Sequence, residues 1–190
     1  MNRKIIVMLT VAALVVACNS NKKSSSDTNV TQTETRSEGN HERKIVIKLE
    51  SKSNSGATGT VTFTEKEGVV YMQLKGSGFT PGEHAIHLHE FANCSANDGI
   101  SAGGHWNPTS EAHGKWGKPP YHKGDIGNFI ADTDGNVNFT FQTDQWCLGC
   151  GDDTKNIIGK SVIIHEHPDD FVTQPTGNAG GRICCGEILE

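Results

Sequence analysis

Lys44-Ile45-Val46-Ile47-Lys48-Leu49-Glu50 is the stretch on which the fold turns. Ile45, Ile47 and Leu49 alternate with Lys44, Val46, Lys48 and Glu50, a period near two. On a strand, neighbouring side chains point to opposite faces, so this segment has one apolar and one largely charged face. The pattern recurs downstream. Val61 and Phe63 alternate with Thr60, Thr62 and Thr64, and Glu67-Gly68 separates them from residues 69–75, which reads as a hairpin. Asp134-Gly135, between residues 127–133 and 136–143, is a second hairpin signal. Runs at 82–90, 160–166 and 182–189 bring the total to about eight strands. No interior stretch has the period of an amphipathic helix. The expectation is an all-β antiparallel sandwich or flattened barrel with eight strands.

Composition agrees. The chain has 190 residues, 34% hydrophobic, with 22 glycines, which suits one β-rich, loop-rich domain plus extras. Net charge is −5. No element carries a row of Lys and Arg, which argues against nucleic acid as a partner.

The two ends of the chain differ in character. Arg3 and Lys4 precede an apolar run at residues 5–17, too short to span a bilayer comfortably. Residues 1–17 read as an export signal. The run ends Leu14-Val15-Val16-Ala17-Cys18, which resembles a bacterial lipobox; the plainer alternative is cleavage before an incidental cysteine. A lipidated Cys18 would tether the protein to a membrane in the bacterial cell envelope. Residues 18–42 are polar, with Val30 the one branched apolar residue among residues 19–42, and read as a disordered tether. Loss of the leader leaves 15 Lys and Arg against 22 Asp and Glu, a net charge of −7. The domain proper is then 43–190.

Two connections, 91–126 and 144–159, lack any strand pattern. Long structureless loops in a compact domain are usually functional, and both adjoin histidine-bearing strands. Of nine histidines, eight lie between His84 and His167. His87 and His89 are two apart on one strand, so both project from one face, roughly 6.6 Å apart along the chain. Ile86 and Leu88 then face the core. His105, His113, His122 and Asp125 follow within the first loop, a three-imidazole, one-carboxylate set suited to a closed tetrahedral zinc site. His165 adds a nitrogen to His87 and His89. A fourth nitrogen would favour copper, and one histidine shared between two metals satisfies both counts.

These motifs resemble the copper/zinc superoxide dismutase family over residues 43–190. The resemblance is carried by His84-Ala85-Ile86-His87-Leu88-His89-Glu90, Ser101-Ala102-Gly103-Gly104-His105-Trp106-Asn107-Pro108, His122-Lys123-Gly124-Asp125-Ile126-Gly127-Asn128, Val162-Ile163-Ile164-His165-Glu166 with Asp169-Asp170, and Gly177-Asn178-Ala179-Gly180-Gly181-Arg182 followed by Cys185-Gly186. It implies an eight-stranded Greek-key sandwich. It implies copper on His87, His89, His105 and His165, and zinc on His105, His113, His122 and Asp125, with His105 bridging. Asp169 matches a carboxylate that orients one ligand of each metal, and His84 matches a structural histidine. The implied reaction is 2 O₂⁻ + 2 H⁺ → O₂ + H₂O₂, with copper cycling, His105 handling a proton and Arg182 guiding superoxide. Lys115, Lys118 and Lys123 are further cations that nothing in the sequence places at the channel. The alternative is a copper/zinc-binding or copper-delivery module without turnover.

The resemblance also pairs Cys94 with Cys185. Cys147 and Cys150 depart from the family pattern. A local disulfide is the simpler reading and a metal-handling or redox role the sharper one. Cys184 is expected as a small buried thiol facing away from Cys185. The segment from Asp170 to Gly180 is short, which leaves the dimer contacts open; a homodimer is one assembly it allows.

Overall fold

A computed structural model describes residues 42–190. The expected leader, Cys18, His41 and all of the tether but its last residue lie outside the described residues. Eight strands follow in order: β1 (Arg43–Ser51), β2 (Thr58–Lys66), β3 (Val69–Ser77), β4 (Gly82–His89), β5 (Gly127–Ala131), β6 (Val137–Thr143), β7 (Ser161–His165) and β8 (Arg182–Glu187). One short 3-10 turn, Ile100–Ala102, interrupts the first long loop, and the described residues contain no α-helix.

The strands hydrogen-bond in the order β5-β4-β7-β8-β1-β2-β3-β6, every pair antiparallel. The two end strands, β5 and β6, lie side by side, so the sheet curls into a nearly closed barrel. Neighbours that are distant in sequence, β4 with β7 and β1 with β8, are the Greek-key crossings. The apolar stripes meet inside. Phe63, Met72, Leu74, Leu88, Ile164 and Trp146 are all almost fully buried in one core. Each such side chain contributes about 1.5–3 kcal/mol by leaving water.

Glu67-Gly68 forms the expected hairpin: both residues take positive φ, 52° and 76°, and Lys66 pairs with Val69. The second turn signal did not make a hairpin. Asp132 N–H donates to the Asn136 carbonyl at 2.9 Å and Gly135 N–H to the Asp132 carbonyl at 3.0 Å, so the chain does reverse there. Beyond it the strands part: β5 pairs with β4 and β6 with β3. Turn chemistry is local, whereas the choice of partner follows from what each strand can bury. β6 gains a ladder running from Val70↔Thr143 to Gly76↔Val137.

Both faces of β4 are buried. Ile86 and Leu88 point into the barrel, while His87 and His89 point outward beneath the first long loop, each fully covered. The same division holds on β8, where Cys184 is in the barrel core and Cys185 is in a small outer cluster with Cys94, Ala102 and Ile163. The candidate site is therefore built on the outside of the barrel.

Candidate metal centre

β4 and β7 are adjacent in the sheet rather than facing across it, with His87 opposite Ile163 and His89 opposite Ser161. A register shift at Ile164/His165 sets His165 beside this pair. The long loop returns along the end of β4. Trp106 N–H donates to the Leu88 carbonyl at 2.8 Å, and an antiparallel bridge joins His89 to His105. The backbone itself thus delivers His105 to the strand histidines.

Two clusters result. His87, His89, His105 and His165 can each bring one nitrogen within 4.8 Å of the others, and so can the ligand atoms of His105, His113, His122 and Asp125. All seven residues are buried. His105 belongs to both. Its Nδ1 lies 2.8 Å from Asp125 Oδ1, and its ring centroid is 4.0 Å from that of His87. His113 Nδ1 and His122 Nδ1 lie 3.0 and 3.2 Å from the same carboxylate. On the other side, His165 Nε2 is 3.4 Å from His89 Nε2.

In His87, His89, His113 and His165 the other ring nitrogen is tied back. His89 Nδ1 meets the Gly103 carbonyl at 3.0 Å and His165 Nδ1 the Gly180 carbonyl at 3.4 Å. His87 Nε2 and His113 Nε2 each lie 2.9 Å from the two oxygens of Asp169. What is left over is informative. His87 Nδ1, His105 Nε2, His113 Nδ1 and His122 Nδ1 are buried without a hydrogen-bond partner. Buried polar atoms are nearly always satisfied, and these four converge on the two clusters. The donors fit a copper ion among four nitrogens and a zinc ion among three nitrogens and a carboxylate.

Burial pushes His105 down to about 4, aided by the adjacent His87 ring. It drives His89 and His165 well below the ordinary value for the same reason, and the Arg182 charge adds to both effects. Neutral imidazole is the form that binds a metal. His113 moves the other way: burial opposes it, but bonds to Asp125 and Asp169 push it up to about 9. Asp125 and Asp169 are held far below the carboxylate range by their histidine partners, against the effect of burial.

Arg182 opens β8. Its guanidinium donates to the carbonyls of Gly99 and Gly103, both at 2.7 Å. Because His89 Nδ1 bonds the same Gly103 oxygen, one carbonyl links the arginine to the copper-type cluster. The lysines do not join it. Lys115 covers the Phe171 ring, Lys123 donates to Gln145, and Lys118 is exposed. His84 is stacked on Phe129 and belongs to neither cluster, although its Nδ1 lies 2.9 Å from the His165 carbonyl.

Two amides were missed in the sequence. Asn128 brackets Asp169, accepting its N–H at 2.8 Å and donating to its carbonyl at 2.9 Å. Gln174 does the same for His113, at 2.9 Å in both directions. Nothing in the spacing of either residue points to its partner.

Cys94 and Cys185 form a disulfide across 91 residues, and Cys147 pairs with Cys150. Closing so long a loop is worth roughly 4–5 kcal/mol in the chain-entropy model. Cys184 is a buried free thiol pushed up to about 12 by burial, its Sγ 3.2 Å from the Ala57 carbonyl.

Residues 57–188 match the family model described as copper/zinc superoxide dismutase (SODC). The chain belongs to the copper/zinc superoxide dismutase family. Solved structures agree with this. A point mutant of a SOD-like protein from Bacillus subtilis is 30% identical with a TM-score of 0.69, covering 76% of this chain and 97% of its own. The unmutated SOD-like protein from Bacillus subtilis is 29% identical with a TM-score of 0.68 over the same shares. The clock protein EA4 is 33% identical with a TM-score of 0.67, covering 77% of this chain and 94% of its own. Within this superoxide dismutase family frame, both histidine clusters of the present chain are complete.

Proposed function

We propose that the protein dismutates superoxide to dioxygen and hydrogen peroxide. The observation that carries this reading is His105, which presents Nδ1 to the carboxylate-bearing cluster and an unpartnered, buried Nε2 to the all-histidine cluster. Copper held by His87, His89, His105 and His165 would supply one-electron redox chemistry, and zinc held by His105, His113, His122 and Asp125 a fixed charge without redox activity.

The chain's own groups do the rest. Asp169 locks the rings of His87 and His113 through one carboxylate, which sets their tautomers. His105 can hold a proton at Nε2 while its Nδ1 stays committed to the carboxylate-bearing cluster, so a proton is stored beside the reacting centre. Arg182 offers a cation to an anionic substrate in a chain of net negative charge. Such local positive charge is how a protein of the wrong overall sign still attracts an anion.

The chain's place in the cell envelope, with export by residues 1–17 and a lipid on Cys18, belongs to the same proposal and is supported by the leader pattern alone. The test of function is superoxide removal in a cytochrome c competition assay, with copper and zinc measured on the same sample. The loaded protein should be active and His87→Ala inactive. Full metal content without activity would favour the non-catalytic metal-binding reading.

A further inference from the structure

Lys52, just past the end of β1, is only 8% exposed. Lysine is almost never buried without a partner. Here the ammonium donates to the backbone carbonyl of Cys94, with Glu50 at 3.4 Å. The amide of the same residue is also taken: Cys94 N–H donates to Glu187 Oε1 at 2.7 Å. One residue is thus gripped on its acceptor by a cation and on its donor by an anion. Glu187 is two residues beyond Cys185, on the same face of β8, so the carboxylate and the disulfide reach Cys94 from one strand.

The surroundings extend this grip. Lys52 N–H donates to the Ile183 carbonyl at 2.9 Å, Ser53 N–H to the Asn97 carbonyl at 2.7 Å, and Ser53 Oγ to the Arg182 carbonyl at 2.9 Å. The loop that starts at Cys94 supplies both carbonyls that hold the Arg182 guanidinium, those of Gly99 and Gly103. Gly99 lies between the two cationic stems: a β-carbon there would meet Arg182 at 3.4 Å and Lys52 at 3.7 Å. Hydrogen bonds to charged groups are about twice as strong as neutral ones. The clamp and the disulfide therefore restrain the same residue in parallel.

We propose that Lys52 and Glu187 are positioning residues that hold the cradle of Arg182 in place whether or not the Cys94–Cys185 disulfide is closed. The catalytic consequence rests on the dismutase reading of Arg182; the clamp itself does not.

The test compares the full chain with Cys94→Ser, Lys52→Met and the double variant; Met keeps the apolar stem and removes the ammonium. In metal-free protein, hydrogen exchange is followed at the amides of Ala102 and Gly103, which donate to Gly99 and Ile100. Cys94→Ser alone should stay within about threefold of the unmodified chain, and the double variant should exchange at least about tenfold faster, the weight of one charge-assisted bond. Because loss of the disulfide alone lowers global stability, β2 and β3 are compared between Cys94→Ser and the double variant; their exchange should differ by less than that of Ala102 and Gly103, which separates a local clamp from general destabilisation. The idea is overturned if Cys94→Ser alone exchanges as fast as the double variant, or if the double variant matches the unmodified chain. Should Lys52→Met fail to fold, Glu187→Ala in the Cys94→Ser background must show the same acceleration.

A second readout is azide affinity at the copper-loaded site, azide standing in for a small anion. It should weaken at least about tenfold in the double variant at unchanged copper content, and by less than about threefold in Cys94→Ser. A loaded unmodified chain that shows this pattern but leaves superoxide untouched would sink the dismutase reading and keep the clamp. One that consumes superoxide but loses azide affinity through Cys94→Ser alone would do the reverse.

Discussion

Replacing Asp169 by Asn changes one heavy atom and separates the two clusters. Oδ1 accepts both His113 Nε2 at 2.9 Å and the Phe171 N–H at 2.7 Å, whereas Oδ2 serves His87 Nε2 alone, at 2.9 Å. An asparagine has one carbonyl oxygen, and it keeps more bonds on the Oδ1 side. Its NH₂ then confronts the N–H of His87, donor against donor. Either His87 loses its anchor, or it changes tautomer and presents a protonated Nδ1 to the copper-type cluster. A bond to a charged partner is worth about 1.5–3 kcal/mol, so copper affinity should fall roughly 30-fold. Zinc keeps the His113 contact and should weaken by less, on the order of a few-fold. Chelator competition on each metal separately, with circular dichroism to show an intact barrel, measures both. Copper affinity within twofold of the unmodified protein would refute the argument, as would zinc lost as strongly as copper.

Gly177→Ala should act on the zinc side instead. Gly177 has φ of 69°, and a β-carbon there would stand 1.8 Å from Asp169 Oδ1 and 2.7 Å from His113 Nε2; zinc retention should drop about tenfold or more in the same competition assay. The metal-free protein should be most resistant to urea near pH 6.5. Below that, His105 folds neutral with its value at about 4, so the unfolded chain binds the extra proton and roughly 3 kcal/mol is lost between pH 6.5 and 4. Above it, His113 holds its proton up to about 9 in the folded state, and that contribution disappears as the pH rises through 9. A midpoint that is flat from pH 4 to 9 would contradict both limbs. Cys184 should resist iodoacetamide at pH 8 in the native protein and react once unfolded, as peptide mapping can show.

Strands were readable because a half-buried strand must alternate, and Ile45, Ile47 and Leu49 do so against Lys44, Lys48 and Glu50, with Val46 the one apolar residue on the outer face. The ligand types were readable because histidine and aspartate at short spacings have few other uses, and His87 with His89 needed only the two-residue repeat of a strand. Partner choice was not. Asp134-Gly135 announced a turn, yet the strands it joins close the barrel edge to edge instead of pairing. Nothing in the sequence marks Lys52, since burial of a lysine depends on which loop folds over it. Asn128 and Gln174 were silent for the same reason.

The sequence by itself determined the strand set, the histidines and carboxylates of both clusters, and Arg182 as the cation at the end of the domain. The strands and the clustered ligands follow from local periodicity and from side-chain chemistry, which each residue carries wherever it lies; Asp169 and Arg182 came through the resemblance to the family. Only the tertiary structure decided which nitrogen of each ring is left free, which acceptor holds the other, and what keeps Arg182 in place. Those depend on backbone carbonyls and buried partners brought together from 14 to 93 residues away. Such contacts leave no mark on the spacing of the residues that make them.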